Sequence, residues 1–155
     1  MIRRLLHLLM PATAASGSQG LPVPDPVDIA QIATPRRRNA ALLGPADFAV
    51  PPTIPALPRA MPAEDLYGLL VRVALEQPRV FLAAAYPTRL QAHFVARSEK
   101  LNFPDVIVAQ AMALDAATSV PLIYSASVYG RSDFGVNRLR LLTWVAALDD
   151  AIKLL

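Results

Sequence analysis

Polar and charged side chains concentrate in one stretch of the chain, YSASVYGRSDFGVNRLR at residues 124–140. The pattern predicts the end of a strand, a tight turn at residues 130–133 and a helix that begins near Gly135. Ser132 and Asp133 stand where short polar side chains accept hydrogen bonds from the free amides of a helical first turn. We expect the buried hydrogen-bonded network at this corner to be completed by Arg97, Asp105, Asn137 and Arg138.

This corner has a second interpretation, as an anion site. Backbone amides at the N-terminus of a helix attract anions, and Arg131 and Arg138 would add positive charge beside them. A structural corner and an anion site are therefore both open alternatives at this point.

Several other kinds of chemistry are excluded or unsupported. The chain has no cysteine, and its two histidines are His7 and His93, so thiol chemistry, disulfides and a Cys or His metal cluster are excluded. The triplet D-F-G at residues 133–135 resembles the magnesium-binding triplet of kinases, but the glycine-rich and catalytic loops of a kinase are missing. Ser125 and Ser127 have no spacing to His93 that indicates a catalytic triad. We therefore predict a protein that is not an enzyme, with no catalytic, cofactor-binding or metal-binding residue.

The charge of the chain is unevenly distributed. The formal net charge of +3 lies entirely in residues 1–62, whereas residues 63–155 carry equal numbers of acidic and basic side chains. Nucleic-acid binding requires a clustered basic face. The neutral second part of the chain therefore argues against a nucleic-acid partner.

Two amphipathic helices are predicted in residues 63–155. Glu64 and Asp65 suit the positive start of the first helix, and Pro78 ends it. Its apolar residues recur at helical spacing, at Leu66, Leu69, Leu70 and Val73. The last helix is predicted over about residues 134–153. Its apolar stripe is formed by Val136, Leu139, Leu142, Val145 and Ala146, and it is widened by Trp144 and Leu148.

The segments between these helices have the composition of strands. They are residues 79–85, 89–97, 105–114 and 119–128. Short connections between consecutive strands indicate antiparallel pairing. We therefore predict the α+β class, with an antiparallel sheet of three to four strands and two helices packed on one face, in a small domain over residues 63–155.

Residues 18–62 are predicted to form an extended proline-rich N-terminal arm. Eleven of the 15 prolines lie in residues 1–62, and proline favours extended conformations without ladder donors. The arm also carries more apolar side chains than a solvated linker does. We expect its C-terminal part to cover its own domain and its N-terminal part to wrap a partner, with the division near residues 36–38.

Residues 1–17 have two interpretations, a weak targeting segment or a retained apolar N-terminal foot. Their apolar run is interrupted by His7 and stops at Pro11, so it is shorter than the ~20 residues that span a bilayer. The arginine triplet at residues 36–38 is either a contact for anionic lipid or an acidic partner, or a solvated run of charge. The residues predicted to contact a partner or a membrane are Arg3, Arg4, Leu5, Leu6, Leu8, Leu9, Arg36, Arg37 and Arg38.

The chain resembles the bacterial domain-of-unknown-function family 1499. The resemblance rests on F-P-D at residues 103–105 and S-D-F-G-V-N-R at residues 132–138, and it extends over roughly residues 35–150. Where that family commonly has Ser-Arg-Ser after the tyrosine, this chain has Ser-Ala-Ser at residues 125–127. The family has no established activity, so the resemblance implies a fold but no reaction.

The division into a charged arm and a neutral domain suggests a function. We expect a non-catalytic accessory subunit of a membrane-associated bacterial protein complex, respiratory or photosynthetic, that is attached by its N-terminal arm. Such a subunit would be peripheral to the membrane, with a larger membrane protein complex as its partner and anionic lipid headgroups as a second contact. The alternative is a secreted or envelope domain that binds a small anionic or apolar ligand at the corner of Arg131 and Arg138.

Overall fold

A computed structural model describes residues 7–23, 25–33 and 37–155 of the chain. Within these residues, a six-stranded sheet carries two long helices on one face. The strands are β1 (Ala40–Gly44), β2 (Ile54–Pro55), β3 (Val80–Tyr86), β4 (Gln91–Arg97), β5 (Pro104–Ala113) and β6 (Ser119–Ser127). The numbered helices are the short α1 (Ile29–Ile32) and the long α2 (Ala63–Glu76) and α3 (Val136–Lys153).

The strand order across the sheet is β2-β1-β6-β5-β4-β3. Strands β3 to β6 form an antiparallel meander, β1 pairs antiparallel with β6, and the two-residue β2 runs parallel to β1. The mixed α+β class and the four strands of the meander are confirmed. The predicted number of three to four strands is wrong, because β1 and β2 lie in the segment that the proline count assigns to the arm.

The helix α2 follows its sequence pattern closely. Its first turn contains Glu64 and Asp65, and it ends at Glu76, just before Pro78. Its buried face consists of Ala63, Leu66, Leu69, Leu70, Val73 and Ala74. This face packs mainly on β5 and on α3, so the apolar periodicity predicted both the helix and its core side.

The helix α3 buries Trp144 and Leu148, which widen its predicted stripe, but it leaves most of the residues that form the stripe exposed. Its buried residues are Asn137, Leu141, Trp144 and Leu148. The ring of Trp144 meets the ring of Phe94 edge to face, with centroids 5.8 Å apart. By contrast, Val136, Leu139 and Leu142 are 49%, 65% and 38% exposed. Because apolar side chains occur on two faces of this helix, the periodicity could not select the buried one.

The second face of the sheet is covered by the N-terminal part of the chain. A cluster on this face includes Ile29, Leu42, Val108, Leu122 and Tyr124. The sheet therefore lies between a helical layer and a layer of N-terminal chain. A separate proline-rich arm over residues 18–62 is not confirmed, because described parts of that segment form β1, β2 and this second layer.

Two properties of the described residues bear on function. No helix among them is both long enough and apolar enough to cross a bilayer. The same residues contain no group of His, Asp and Glu side chains that could hold a metal ion.

Candidate functional site

Asn137 lies at the centre of a polar network where β6 leads into α3. Its side chain is fully buried. Its Oδ1 accepts hydrogen bonds from Ser125 Oγ at 2.6 Å and from Arg140 Nη1 at 2.7 Å. Its Nδ2 donates to Ser127 Oγ at 3.0 Å and to Asp133 Oδ2 at 2.7 Å. The alternation along β6 places both serines on the helical face of the sheet, which is why one side chain of α3 reaches both.

Arg140 is the charged member of this network. Its Nη2 lies 2.7 Å from Asp105 Oδ2, in an ion pair whose side chains are 14% and 12% exposed. Its Nη1 also donates to Ser125 Oγ at 2.9 Å. Asp105 and Asn137 are predicted members of this network, whereas Arg140 takes the place that the sequence pattern assigns to Arg138. The sequence does contain an indication that Arg140 belongs to the network: it follows Asn137 by three residues, and this spacing places both side chains on one face of the helix.

Asn39, just before β1, closes the network from the other side. Its carbonyl oxygen accepts from Asn137 Nδ2 at 3.1 Å and from Ser127 N at 2.8 Å. Its own Nδ2 donates to Gly130 O at 2.7 Å, and its Oδ1 accepts from Arg37 Nε at 2.6 Å. One side chain thus joins the start of β1 to the turn after β6. We call the following residues the corner network: Asn39, Asp105, Ser125, Ser127, Asp133, Asn137 and Arg140.

Asp133 accepts the first amides of α3, the role that the sequence predicts for it. Its Oδ1 accepts from Gly135 N at 2.9 Å, and its Oδ2 accepts from Asn137 N at 2.8 Å. Burial by itself would raise the pKa of this carboxyl group. The hydrogen bonds from Asn137 and Gly135 outweigh burial and hold the pKa of Asp133 below its ordinary value.

The anion interpretation of the corner requires free amides and nearby arginines. However, Phe134 N donates to Ser132 Oγ, and the next three amides donate to oxygens of Asp133. Asp133 therefore occupies the position that a bound anion would take. Arg131 and Arg138 are exposed, and neither side chain forms an ion pair or hydrogen bond with the residues that the structure describes.

Arg97 lies on the opposite face of the sheet from the corner network. In the pairing of β4 with β5, Ala96 stands opposite Asp105 and Arg97 stands opposite Pro104. Neighbouring residues of a strand point to opposite faces, so the side chains of Arg97 and Asp105 cannot meet. The predicted contact between Arg97 and the corner is therefore not formed.

Arg97 binds the N-terminal chain instead. Its Nε donates to Gly17 O at 2.7 Å, its Nη1 to Ala12 O at 2.7 Å and its Nη2 to Gln19 O at 2.6 Å. Burial lowers the pKa of Arg97, and the positive charge of Arg79 lowers it further. Within the described chain, this buried cation is therefore satisfied by carbonyl oxygens.

Two side-chain amides complete the attachment of the N-terminal chain. Asn102 Nδ2 donates to Thr13 O at 2.9 Å and to Ala15 O at 2.7 Å. Gln91, at the other end of β4, accepts from Val27 N at 2.9 Å and donates to Val27 O at 2.8 Å. We call the chain held in this way, residues 12–23 and 25–27, the strap. The strap joins the end of the predicted N-terminal foot to the part of the arm, from residue 18 onward, that is predicted to wrap a partner, and it covers its own sheet instead.

The polar side chains of the corner network already have hydrogen-bond partners, which limits the chemistry available there. A cavity of about 300 Å³ adjoins the corner. Its walls include Met10, Phe103, Asp105, Tyr129, Asp133 and Phe134. Both carboxylates are already bonded to Arg140 or to the amides of α3. No buried side-chain nitrogen or oxygen among the described residues lacks a hydrogen-bond partner, so the network positions structural elements.

The residues predicted to contact a partner or membrane are only partly within the described chain. Arg3, Arg4, Leu5, Leu6 and Arg36 lie outside it. Leu8 and Leu9 are 78% and 70% exposed. Arg38 is exposed. Arg37 donates to Asn39 Oδ1, Tyr124 OH and Ser127 O, so its guanidinium is engaged within the protein.

Comparison with known proteins gives a family match and one distant structural similarity. The sequence matches the family model "Protein of unknown function (DUF1499)" over residues 26–148. No curated protein sequence matches the chain. The crystal structure of the di-domain ARO/CYC BexL from the BE-7585A biosynthetic pathway is similar at 15% identity and a TM-score of 0.47. That alignment covers 63% of this chain and 45% of the other, so this chain spans less than half of its length.

Proposed function

The chain belongs to the DUF1499 family, and we propose that it is a non-catalytic accessory subunit of a membrane-associated protein complex. The observation that supports this role is an apolar surface at the start of α3 that remains exposed. Soluble monomers rarely expose large contiguous apolar patches, and such patches are typical of sites that contact proteins or membranes.

This surface consists of Phe134, Val136 and Leu139, which we call the corner patch. Their exposed fractions are 97%, 49% and 65%. Val136 and Leu139 are three residues apart and share one face of α3, and Phe134 stands on the turn just before that face. The packed face of α3 is a separate one, so the corner patch is not needed to hold the helix on the sheet.

The N-terminal segment adds to the same region. Residues 7–9 are helical, and Leu8 and Leu9 point largely into solvent. Met10, the next residue, lines the cavity at the corner together with Phe134 and Val136. The exposed leucines therefore begin close to the corner patch, and we infer that both belong to one contact surface.

The conformation and charge around the patch favour the same interpretation. Phe134 has φ of +52°, in the left-handed region that bulky residues rarely adopt. Such backbone strain concentrates at functional positions, because the surrounding structure has to stabilise it. The exposed Arg131 precedes the patch in sequence, and the exposed Arg138 lies between Val136 and Leu139. Exposed arginines suit an acidic partner surface or anionic lipid headgroups.

The anion-binding alternative has less support. It requires free amide donors at the N-terminus of α3, and those amides already donate to Ser132 and Asp133. It also requires arginines directed to that point, whereas the side chains of Arg131 and Arg138 are solvent-exposed.

The test is co-purification of partners from membranes. An affinity-tagged copy at native expression level is extracted in mild detergent and compared with the variant Phe134→Ser/Leu139→Ser. The control is Leu114→Ser, at a leucine that is 52% exposed after β5. We expect the wild type and the control to recover one larger complex in stoichiometric amounts. The double variant should recover at least tenfold less, because each buried side chain contributes about 1.5–3 kcal/mol and 1.4 kcal/mol is about tenfold.

Two outcomes would contradict the proposal. If the wild-type protein is recovered alone as a soluble species, the accessory role is wrong. If the double variant recovers the complex as well as the wild type does, the corner patch is not the contact surface. Circular dichroism and thermal unfolding of each purified variant establish that the substitutions leave the fold intact.

A further inference from the structure

An apolar cavity lies between the strap and the sheet, on the face of the sheet opposite to the corner network. Its volume is about 310 Å³. The strap contributes Leu21, Pro22 and Val27 to its walls, and the sheet contributes His93, Val95 and Val108. This cavity shares no lining residue with the cavity at the corner.

The cavity lies between two points at which side chains of β4 hold the strap. Gln91 and Arg97 hold the strap from the same face of β4, six residues apart, which corresponds to about 20 Å along a strand. His93 and Val95 are the two residues between them that share this face, and both line the cavity. The attachment points therefore lie on either side of the cavity along β4.

The section of strap over the cavity is held less firmly than its ends. Among the described residues, none of 20–23 and 25–26 forms a backbone hydrogen bond to the sheet. At the neighbouring attachment points Arg97 donates three short hydrogen bonds, and Gln91 donates one hydrogen bond to Val27 and accepts one from it. Because the described residues of this section form no backbone hydrogen bond to the sheet, the section can move aside while its two attachment points stay bonded.

The lining defines the chemical class of ligand. Among the described lining residues there is no Asp, Glu, Lys or Arg, and the one side chain that can titrate is the buried imidazole of His93. Burial lowers the pKa of His93, so this ring is neutral at neutral pH. An apolar cavity of about 150 Å³ can bind benzene, and the pockets of small-molecule binding proteins begin at about 300 Å³.

We propose that this cavity binds a small uncharged apolar molecule, with the bulk of two or three aromatic rings, beneath the strap. The site is independent of the corner patch, and it goes beyond the role of an accessory subunit. The strap acts as its cover, because its removal would leave His93, Val95 and Val108 open to solvent.

The proposal is tested with N-phenyl-1-naphthylamine, an uncharged dye whose fluorescence rises in apolar surroundings. The key variant is Ala83→Phe, because Ala83 lines the cavity and a phenyl group there would fill it. The matched control is Ala85→Phe, on the same strand but at a position outside the lining. A second control, Phe134→Ser, removes the most exposed apolar side chain of the corner patch.

We expect the wild type to bind the dye saturably at a single site. Ala83→Phe should weaken binding by at least about tenfold, because the added phenyl ring occupies volume in the cavity that the dye requires. Ala85→Phe and Phe134→Ser should bind like the wild type. The proposal is overturned if the wild type shows no saturable binding, or if Ala83→Phe binds unchanged. It is also overturned if Phe134→Ser alone abolishes binding, since the dye would then occupy the corner patch.

Hydrogen exchange provides a second measurement that does not depend on any variant. When the dye is bound, amide exchange should slow in residues 19–23 and 25–27 and in β4, because the strap is held closed over the ligand. Unchanged exchange in both segments at saturating dye would overturn the proposal.

Discussion

Replacing Asn137 with alanine removes the side chain that joins β1, β6 and α3. That side chain makes five hydrogen bonds, two of them with the charged groups of Arg140 and Asp133. A neutral hydrogen bond contributes about 1 kcal/mol and one to a charged group about 2 kcal/mol. The gross loss is therefore about 7 kcal/mol in the free energy of unfolding.

The net loss is smaller, because most partners keep another hydrogen bond. Ser125 Oγ and Arg140 remain bonded to each other, and Asn39 O still accepts from Ser127 N. Ser127 Oγ keeps no side-chain partner among the described residues. The variant also lacks the buried side-chain amide of Asn137, whose removal from water disfavours folding. We therefore expect Asn137→Ala to reduce the free energy of unfolding by about 3 kcal/mol.

Urea unfolding followed by circular dichroism measures this change. With a slope of about 2 kcal/mol per molar urea, the midpoint should fall by about 1.5 M. The control is Arg138→Ala, which changes the next residue of α3 at an exposed position and should alter stability by less than about 0.5 kcal/mol. A loss below about 1 kcal/mol for Asn137→Ala would refute the reasoning, because the network would then contribute no more than an ordinary surface contact.

Two further predictions concern glycine positions and the start of α3. Gly135 has φ of +83°, and a methyl group added there would meet no atom within 4 Å, so Gly135→Ala should cost about 1 kcal/mol from backbone strain alone. Gly68→Ala, at a helical glycine with equally open space, should stabilise the protein by about 0.5–1 kcal/mol. If urea unfolding shows that both substitutions change the free energy of unfolding in the same direction, this account is wrong. Because the pKa of Asp133 is lowered in the folded state, its stabilisation is present above the unfolded pKa of about 3.9 and is lost as pH falls through the folded value. The stability difference between the wild type and Asp133→Asn should therefore stay constant from about pH 7 to 5 and shrink below about pH 4, and a difference that persists at the lowest pH would contradict it.

Local patterns predicted much of the fold. The alternation in residues 79–128 and the turns between them specify four strands that pair in order, because consecutive strands with short connections become neighbours. The helical spacing in residues 63–76 specifies α2 and its buried side. The contact of Asp133 with the first amides of α3 was also predictable, because its partners lie within four residues of it.

The membership of the corner network was harder to predict. Arg97 and Asp105 lie near each other in sequence and both are buried, but the register of β4 against β5 puts them on opposite faces. A change of register by one residue would exchange those faces. Asn39 was missed because its partners lie about 90 residues further along the chain, and no local signal points to them.

The buried Gln91 is a sequence feature that indicates a covered face of the sheet. A glutamine within a buried strand needs hydrogen-bond partners, and the partners of the Gln91 side chain are the backbone of Val27 and the side chains of Gln110 and His93. The strand position alone indicated that something polar must cover this face. It did not indicate that the cover is the N-terminal chain of the same protein.

The sequence by itself determined the family, the order of the main helices and strands, and the role of Asp133 at the start of α3. These depend on composition and on residues within a few positions of one another. Only the tertiary structure decided which face of α3 is buried and where the N-terminal chain lies. Both depend on the surface that distant parts of the chain offer, since α3 has apolar side chains on two faces and the strap is held by Arg97 and Gln91 more than 60 residues away.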